Sequence, residues 1–162
     1  MAGILVRRSA AGSAFRMTNL KIEIAKDFSP ALLQAIASLL PQLTSSGRAM
    51  TAAELKAMIA SPLTTLFIAK DDDRIVGTIS LTVVQMPTGL RAYLEDLVVD
   101  ASYRNRGAAT ALLQAAIDLA RNSGARTLDM TSRASRESAI RIYERLGFRR
   151  RDTNAFRYPF KY

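Results

Sequence analysis

Between Leu97 and Thr110 the chain reads LVVDASYRNRGAAT: an apolar run, a short polar loop, then a helix-forming stretch that opens at Gly107. A helix begun this way presents unpaired backbone N–H groups and the positive end of its dipole, which together suit an anion. Gly107 lets such a ligand come close to the backbone, Ala108 and Ala109 keep the entrance small, and Arg104 and Arg106 add positive charge. The plainer alternative is a strand-to-helix turn with a solvated arginine pair. Two familiar phosphate loops are excluded by their residues: there is no GxxxxGK[ST], and no two of the eight glycines stand two apart as GxGxxG requires. Just upstream, Glu95 and Asp96 interrupt a stretch that otherwise reads YL–LVV, so they are candidates either for a general base or for ion pairs with nearby arginines. Simple alternation would put Tyr93, Glu95, Leu97 and Val99 on one face and Leu94, Asp96 and Val98 on the other.

These residues need a scaffold, and the surrounding sequence supplies strand and helix signals in turn. Period-2 alternation predicts a strand over 21–25. Ser29-Pro30 predicts a helix start, running to Leu40 and ended by Pro41. Thr51-Ala-Ala-Glu54 matches a capping box and opens a second helix to about residue 60. Strands are expected over 64–70 and 75–84, joined by the turn Asp71-Asp72-Asp73, and over 91–99 after a turn at 87–89. The longest helix is expected over 107–122, with Ala109, Leu112, Leu113, Ala116, Ile117 and Ala120 on its apolar face and Gly124 as its stop. A short strand over 127–131 follows. A helix over 136–146 is expected next, capped by Ser135 and stopped by Gly147, with closing strands over 148–151 and 155–160. The order is β-α-α-β-β-β-α-β-α-β-β. The strand–helix–strand unit from Leu94 to Met130 should be parallel and the earlier strands an antiparallel meander, giving a mixed α/β sheet.

Composition narrows the chemistry. The 162 residues suit one domain, with 49% apolar and 23% charged residues. No apolar run approaches the roughly 18 residues of a membrane span. Cysteine and histidine are both absent, which removes disulfides, thiolate nucleophiles, Cys/His zinc sites and Ser-His-Asp catalysis. Acid–base work then falls to Asp, Glu, Tyr, Lys or the termini. A cysteine-free chain fits a reducing compartment, and a cytoplasmic location is expected. The net charge is +9, and from Arg104 to Arg157 twelve arginines less five acids leave +7. Such a region attracts phosphates, whether on nucleic acid, lipid or a phosphorylated cofactor. Residues 1–17 read as an extension: the first sixteen hold three arginines and no acid, and either precede a natural start at Met17 or form a leader. Residues 18–162 are then one domain.

The spacing Arg104-x-x-Gly107-x-Ala109 resembles the pyrophosphate-binding signature [Q/R]-x-x-G-x-[G/A] of the GNAT N-acetyltransferases. Thirty residues on, Ala139-Ile140-Arg141-Ile142-Tyr143-Glu144-Arg145-Leu146-Gly147-Phe148 resembles the family's second signature, A-x-x-x-Y-x-x-x-G-F. Both stand in the family's order of strand, helix, short strand, helix, and the resemblance covers about residue 20 to the C-terminus. It implies a GNAT-like acyl-CoA N-acyltransferase fold and transfer of the acetyl group of acetyl-CoA, as co-substrate, to an amine of a small molecule or peptide. Without cysteine, that transfer is direct attack in a ternary complex.

The resemblance also implies roles. Arg104, Asn105, Arg106, Gly107, Ala108, Ala109 and Thr110 hold the diphosphate, and a β-bulge in the strand frees the N–H groups of Leu97, Val98 and Val99 for the acetyl and pantetheine amides. Glu95 is the preferred base, acting through water. Tyr143 is the proton donor to the leaving sulfur; its alternative is core packing on a stripe with Ala139, Ile142 and Leu146. Where many members carry Asn, this chain has Arg136, which is expected to meet a CoA phosphate instead. Arg141 is a further phosphate candidate, and Arg149-Arg150-Arg151 reads as surface. The partners expected are acetyl-CoA and an amine acceptor, with neither nucleic acid nor membrane; a homodimer is compatible. The acceptor would meet residues 42–50 and 86–92. The rival readings are a non-catalytic acyl-CoA-binding or sensing domain and, from charge alone, a nucleic-acid binder, against which stand 7% aromatics, no Trp and no RNP pattern.

Overall fold

The computed structural model describes residues 19–44 and 48–160; the expected extension over 1–17 lies outside the described residues. They fall into two compact units, one ending at Thr131 and one beginning at Ser132.

The first unit runs β1 (Leu20–Ile24), α1 (Pro30–Leu43), α2 (Ala52–Ala60), β2 (Thr64–Asp71), β3 (Arg74–Met86), β4 (Gly89–Val99), a 3-10 turn (Ala101–Tyr103), α3 (Ala108–Asn122) and β5 (Thr127–Met130). The five strands lie side by side in sequence order. β1 to β4 form the antiparallel meander, and β5 adds parallel to β4 with α3 as the crossover. The class is the expected mixed α/β.

Local chemistry explains the element ends. The Leu32 amide donates to the Ser29 hydroxyl at 3.1 Å, with Pro30 in the first helical position. Pro41 does not end α1, as the sequence suggested, but lies inside it. In the last turn a proline forfeits only one ladder bond, and the Thr44 amide still closes onto the Leu40 carbonyl at 3.0 Å. At α2 the capping box forms in both directions: the Glu54 amide donates to the Thr51 hydroxyl at 3.2 Å, and the Thr51 amide to the Glu54 carboxylate at 2.8 Å.

Register assigns the two faces of the sheet. Leu66 and Ile68 stand opposite Ser80 and Thr78. These two apolar residues join Leu32 and Ile36 of α1 and Leu55 of α2 in one buried cluster. The intervening residues Phe67, Ile79 and Leu81 turn to the other face, where α3 packs with Ala108, Leu112, Leu113, Ala116 and Ala120 buried. Gly77 marks the closest approach there. A Cβ on it would lie 2.9 Å from the Val98 carbonyl and 3.3 Å from Leu112 Cδ1.

The second unit holds α4 (Glu137–Arg145). Ser135 is not its cap; Arg136 occupies the N-cap position with no side-chain cap bond. The serine stands one residue early, and Glu137 in the first turn complements the dipole instead. Gly147 ends the helix as expected, at φ 95°, and the Phe148 amide reaches back to the Tyr143 carbonyl at 3.0 Å. The closing strands expected over 148–151 and 155–160 do not form. Arg150 is drawn to Glu144 of α4 at 3.1 Å, and Pro159 has no amide to give a ladder. Phe156, Tyr158 and Phe160 are left exposed.

Candidate functional site

The centre of β4 departs from regular pairing. Ser80 stands opposite Glu95 and Thr78 opposite Val98, so two steps on β3 face three on β4. One residue is extra, which is a β-bulge, as the resemblance implied. Asp96 has φ of 54°, a left-handed backbone that aspartate tolerates better than most residues. Alternation is thereby reset. Leu94, opposite Leu81, and Val98, opposite Thr78, have the same sequence parity yet lie on opposite faces. Val98 is buried, whereas Glu95 and Asp96 are both exposed. The ladder to β5 ends at Leu94 and Met130, while β4 continues to Val99. Residues 95–99 therefore border a gap in the sheet where β5 has already stopped.

The loop after β4 is tied down residue by residue. The Asp100 amide donates to the Val76 carbonyl at 2.8 Å, and the Ala101 amide to the Gln42 side-chain oxygen at 2.9 Å. The Asp100 carboxylate accepts from the Ser102 amide at 2.9 Å and hydroxyl at 2.6 Å, and pairs with Arg74 at 3.1 Å. Those Ser102 bonds first, and the Arg74 charge second, hold the Asp100 carboxyl below its ordinary range. The guanidinium carbons of Arg74 and Arg106 lie 5.1 Å and 4.9 Å from the centroid of the Tyr103 ring. Arg104 Nε is 3.4 Å from the Val99 carbonyl.

Asn105 at φ 61° and Gly107 at φ 88° then turn the chain into α3. Gly107 is the N-cap and supplies no side-chain cap bond, and a Cβ placed on it would meet nothing within 4 Å. The first-turn N–H groups of Ala108, Ala109 and Thr110 lie at the positive end of a 15-residue helix, next to the open space at Gly107. Arg104, Asn105, Arg106 and Thr110 are exposed around that opening, and Ala108 is buried behind it. Residues 97–99 of β4 lead directly into the same loop.

In the second unit Tyr143 is buried on α4, its ring edge-on to Phe148 at 6.1 Å and 67°. Burial pushes its phenol above the ordinary value, against smaller opposing effects from the Arg136 charge and a hydrogen bond with Ser132. The side chain therefore keeps its proton at neutral pH. Arg136, half-buried, lies close enough to act on Tyr143 electrostatically. Arg141 is paired with Glu137 at 3.7 Å.

Two residues escape a reading of the sequence, Asp100 and Tyr103, and Gln42, expected only in the acceptor segment 42–50, is found bonded to the Ala101 amide. Asp100-Ala-Ser102 after a strand is a turn signal that could have been found. Nothing in the sequence reveals that Tyr103 gathers Arg74, far upstream on β3.

Comparison with known proteins identifies the family. The acetyltransferase (GNAT) family matches residues 33–148. An N-alpha-acetyltransferase 30 of Schizosaccharomyces pombe is 37% identical over 102 residues, 57% of this chain and 68% of that protein. A glucosamine 6-phosphate N-acetyltransferase of Trypanosoma brucei brucei is 37% identical over 93 residues, 56% of this chain and 61% of that protein. Among solved structures, an aminoglycoside N-acetyltransferase in complex with CoA superposes with a TM-score of 0.73 at 19% identity, over 89% of this chain and 97% of the other.

Proposed function

We infer, from the premise that this chain belongs to the GNAT family of acetyltransferases and is an acetyl-CoA-dependent N-acetyltransferase, that it passes the acetyl group to a primary amine of a small molecule or peptide by direct attack in a ternary complex. Residues 18–162 act as one such domain, in a cytoplasmic setting. The reading rests on one observation above the others: the uncapped start of α3 at Gly107, opening beside the bulged end of β4. The similarity to an N-alpha-acetyltransferase makes a peptide α-amine the first acceptor to try.

Acetyl-CoA supplies the thioester carbon that the amine nitrogen attacks. The N–H groups of Ala108, Ala109 and Thr110, with Arg104 and Arg106, bind the diphosphate, and the Asn105 turn presents them. Amides of Leu97, Val98 and Val99 hold the pantetheine and the carbonyl oxygen as it gains negative charge. Glu95, exposed at the bulge, takes the proton from the incoming ammonium through a water. Tyr143 gives its proton to the departing sulfur. Arg136 meets a phosphate of CoA.

A free-thiol release assay with acetyl-CoA over a panel of peptides and small amines tests the reading, run beside Tyr143→Phe and Glu95→Gln. Both variants should release thiol more slowly than the parent. Release unaffected by either would refute those two roles. No turnover on any amine, with CoA still bound, would turn the reading to an acyl-CoA sensor.

A further inference from the structure

We propose that Tyr103 is a positioning residue for acetyl-CoA binding: its ring orients Arg106 toward the anion opening at the start of α3. The proposal rests on the reading of that opening as the diphosphate site. Arg106 is exposed and carries a long side chain with several rotamers, so its charge alone does not place it. A tyrosine face 4.9 Å from its guanidinium carbon limits that freedom. The residue is itself held by its backbone and by a second guanidinium. Its backbone amide donates to the Asp100 carbonyl at 2.8 Å. Asp100 is anchored to Val76 of β3, and its carboxylate holds Arg74, whose guanidinium carbon is 5.1 Å from the same ring. The Gln42 side chain secures the start of the same 3-10 turn through the Ala101 amide at 2.9 Å. A chain of contacts thus runs from the sheet, through Asp100 and Tyr103, to Arg106, the residue directly before Gly107. Both guanidinium groups meet the same ring, so the ring is the joint between them.

The role makes a distinctive demand. Tyr103 touches neither reacting atom, so its loss should weaken binding of acetyl-CoA and leave the chemical step alone. It should act through the ring face rather than the hydroxyl, so phenylalanine should serve. Its effect should vanish once Arg106 carries no charge.

The test is steady-state kinetics and CoA calorimetry on the whole chain for Tyr103→Leu, Tyr103→Phe, Arg106→Gln and the double variant Tyr103→Leu/Arg106→Gln, with Gly107→Val as a control on the site. Tyr103→Leu should raise KM for acetyl-CoA and the Kd of CoA by roughly two- to five-fold, with kcat little changed, as the strength of an exposed cation–ring contact implies. Tyr103→Phe should restore the parent values, and the double variant should bind no more weakly than Arg106→Gln alone. An effect of Tyr103→Leu that persists undiminished beside Arg106→Gln, or that phenylalanine fails to rescue, overturns the positioning role. Should Tyr103→Leu unfold the chain, Tyr103→Gln in the parent and in the Arg106→Gln background carries the same comparison. If Gly107→Val weakens CoA binding while Tyr103→Leu does not, the proposal fails and the diphosphate site stands; if neither changes binding, the site itself is misplaced.

Discussion

A phenol that is to protonate a leaving sulfur must still hold its proton when the thiolate forms. In the role proposed for Tyr143, burial meets this demand by moving its pKa up from the ordinary tyrosine value. Tyr143→Phe is therefore expected to lower kcat by roughly 10²-fold, a typical general-acid contribution, while KM for acetyl-CoA stays near the parent value. The sign of the shift also fixes a pH effect. The raised folded pKa means that Tyr143 favours the folded state fully below the unfolded value of about 10, and that this is lost as pH rises beyond it. Denaturation in urea should accordingly show stability falling above about pH 10 in the parent and falling less in Tyr143→Phe. Asp96 gives a second test at the same scale. Its left-handed backbone at φ 54° suits glycine and penalises a branched side chain. Asp96→Gly should keep the parent stability, and Asp96→Val should lose about 1–2 kcal/mol by urea denaturation.

At the level of elements, the bulge is an insertion of one residue, so removing one residue should undo it. Deleting Asp96 would let β4 pair with β3 without interruption, and the N–H groups of Leu97 to Val99 would be re-aimed. The expected result is a folded protein whose KM for acetyl-CoA rises at least ten-fold, read by thiol release and a thermal melt. The capping box at α2 is a purely structural counterpart. Thr51→Ala should lower Tm by about 2–4 °C. The Glu54 carboxyl is held low chiefly by the Thr51 amide and hydroxyl, then by Arg48. A lowered folded pKa contributes stability above the ordinary carboxylate range and loses it as pH falls through that range, so the melting difference should narrow in acid. Much of this was legible beforehand because caps and turns are local: Ser29, Thr51 with Glu54, Gly107 and Gly147 each mark an end from their own chemistry. What escaped was decided elsewhere. Pro41 is tolerated because its lost bond falls in a last turn. The alternating aromatics of 155–160 read as a strand, but a strand exists only where a neighbour offers a ladder. The position of Asp96 in the bulge depends on β3, which its own neighbours in sequence do not report.

Across the whole molecule, the net charge of +9 acts on a polyanionic co-substrate at long range as well as through the loop. Raising salt from about 50 to 500 mM should therefore increase KM for acetyl-CoA more than kcat, since the screening length shrinks to a few ångströms over that range. The effect should be smaller in Arg106→Gln, where one of the close charges is gone. The grip on the cofactor has a further property that follows from how its loop is assembled. The loop proposed to hold the cofactor is fastened by guanidinium groups, an aromatic face and a carboxyl already held on the acidic side of its usual titration, and the chain has no histidine anywhere. Arginine side chains keep their charge over any pH an enzyme meets. Any inflection in the rate between about pH 6 and 9 would then be a signature of the amine being acetylated or of its base, so the pH profile becomes a way to sort acceptors by their own basicity.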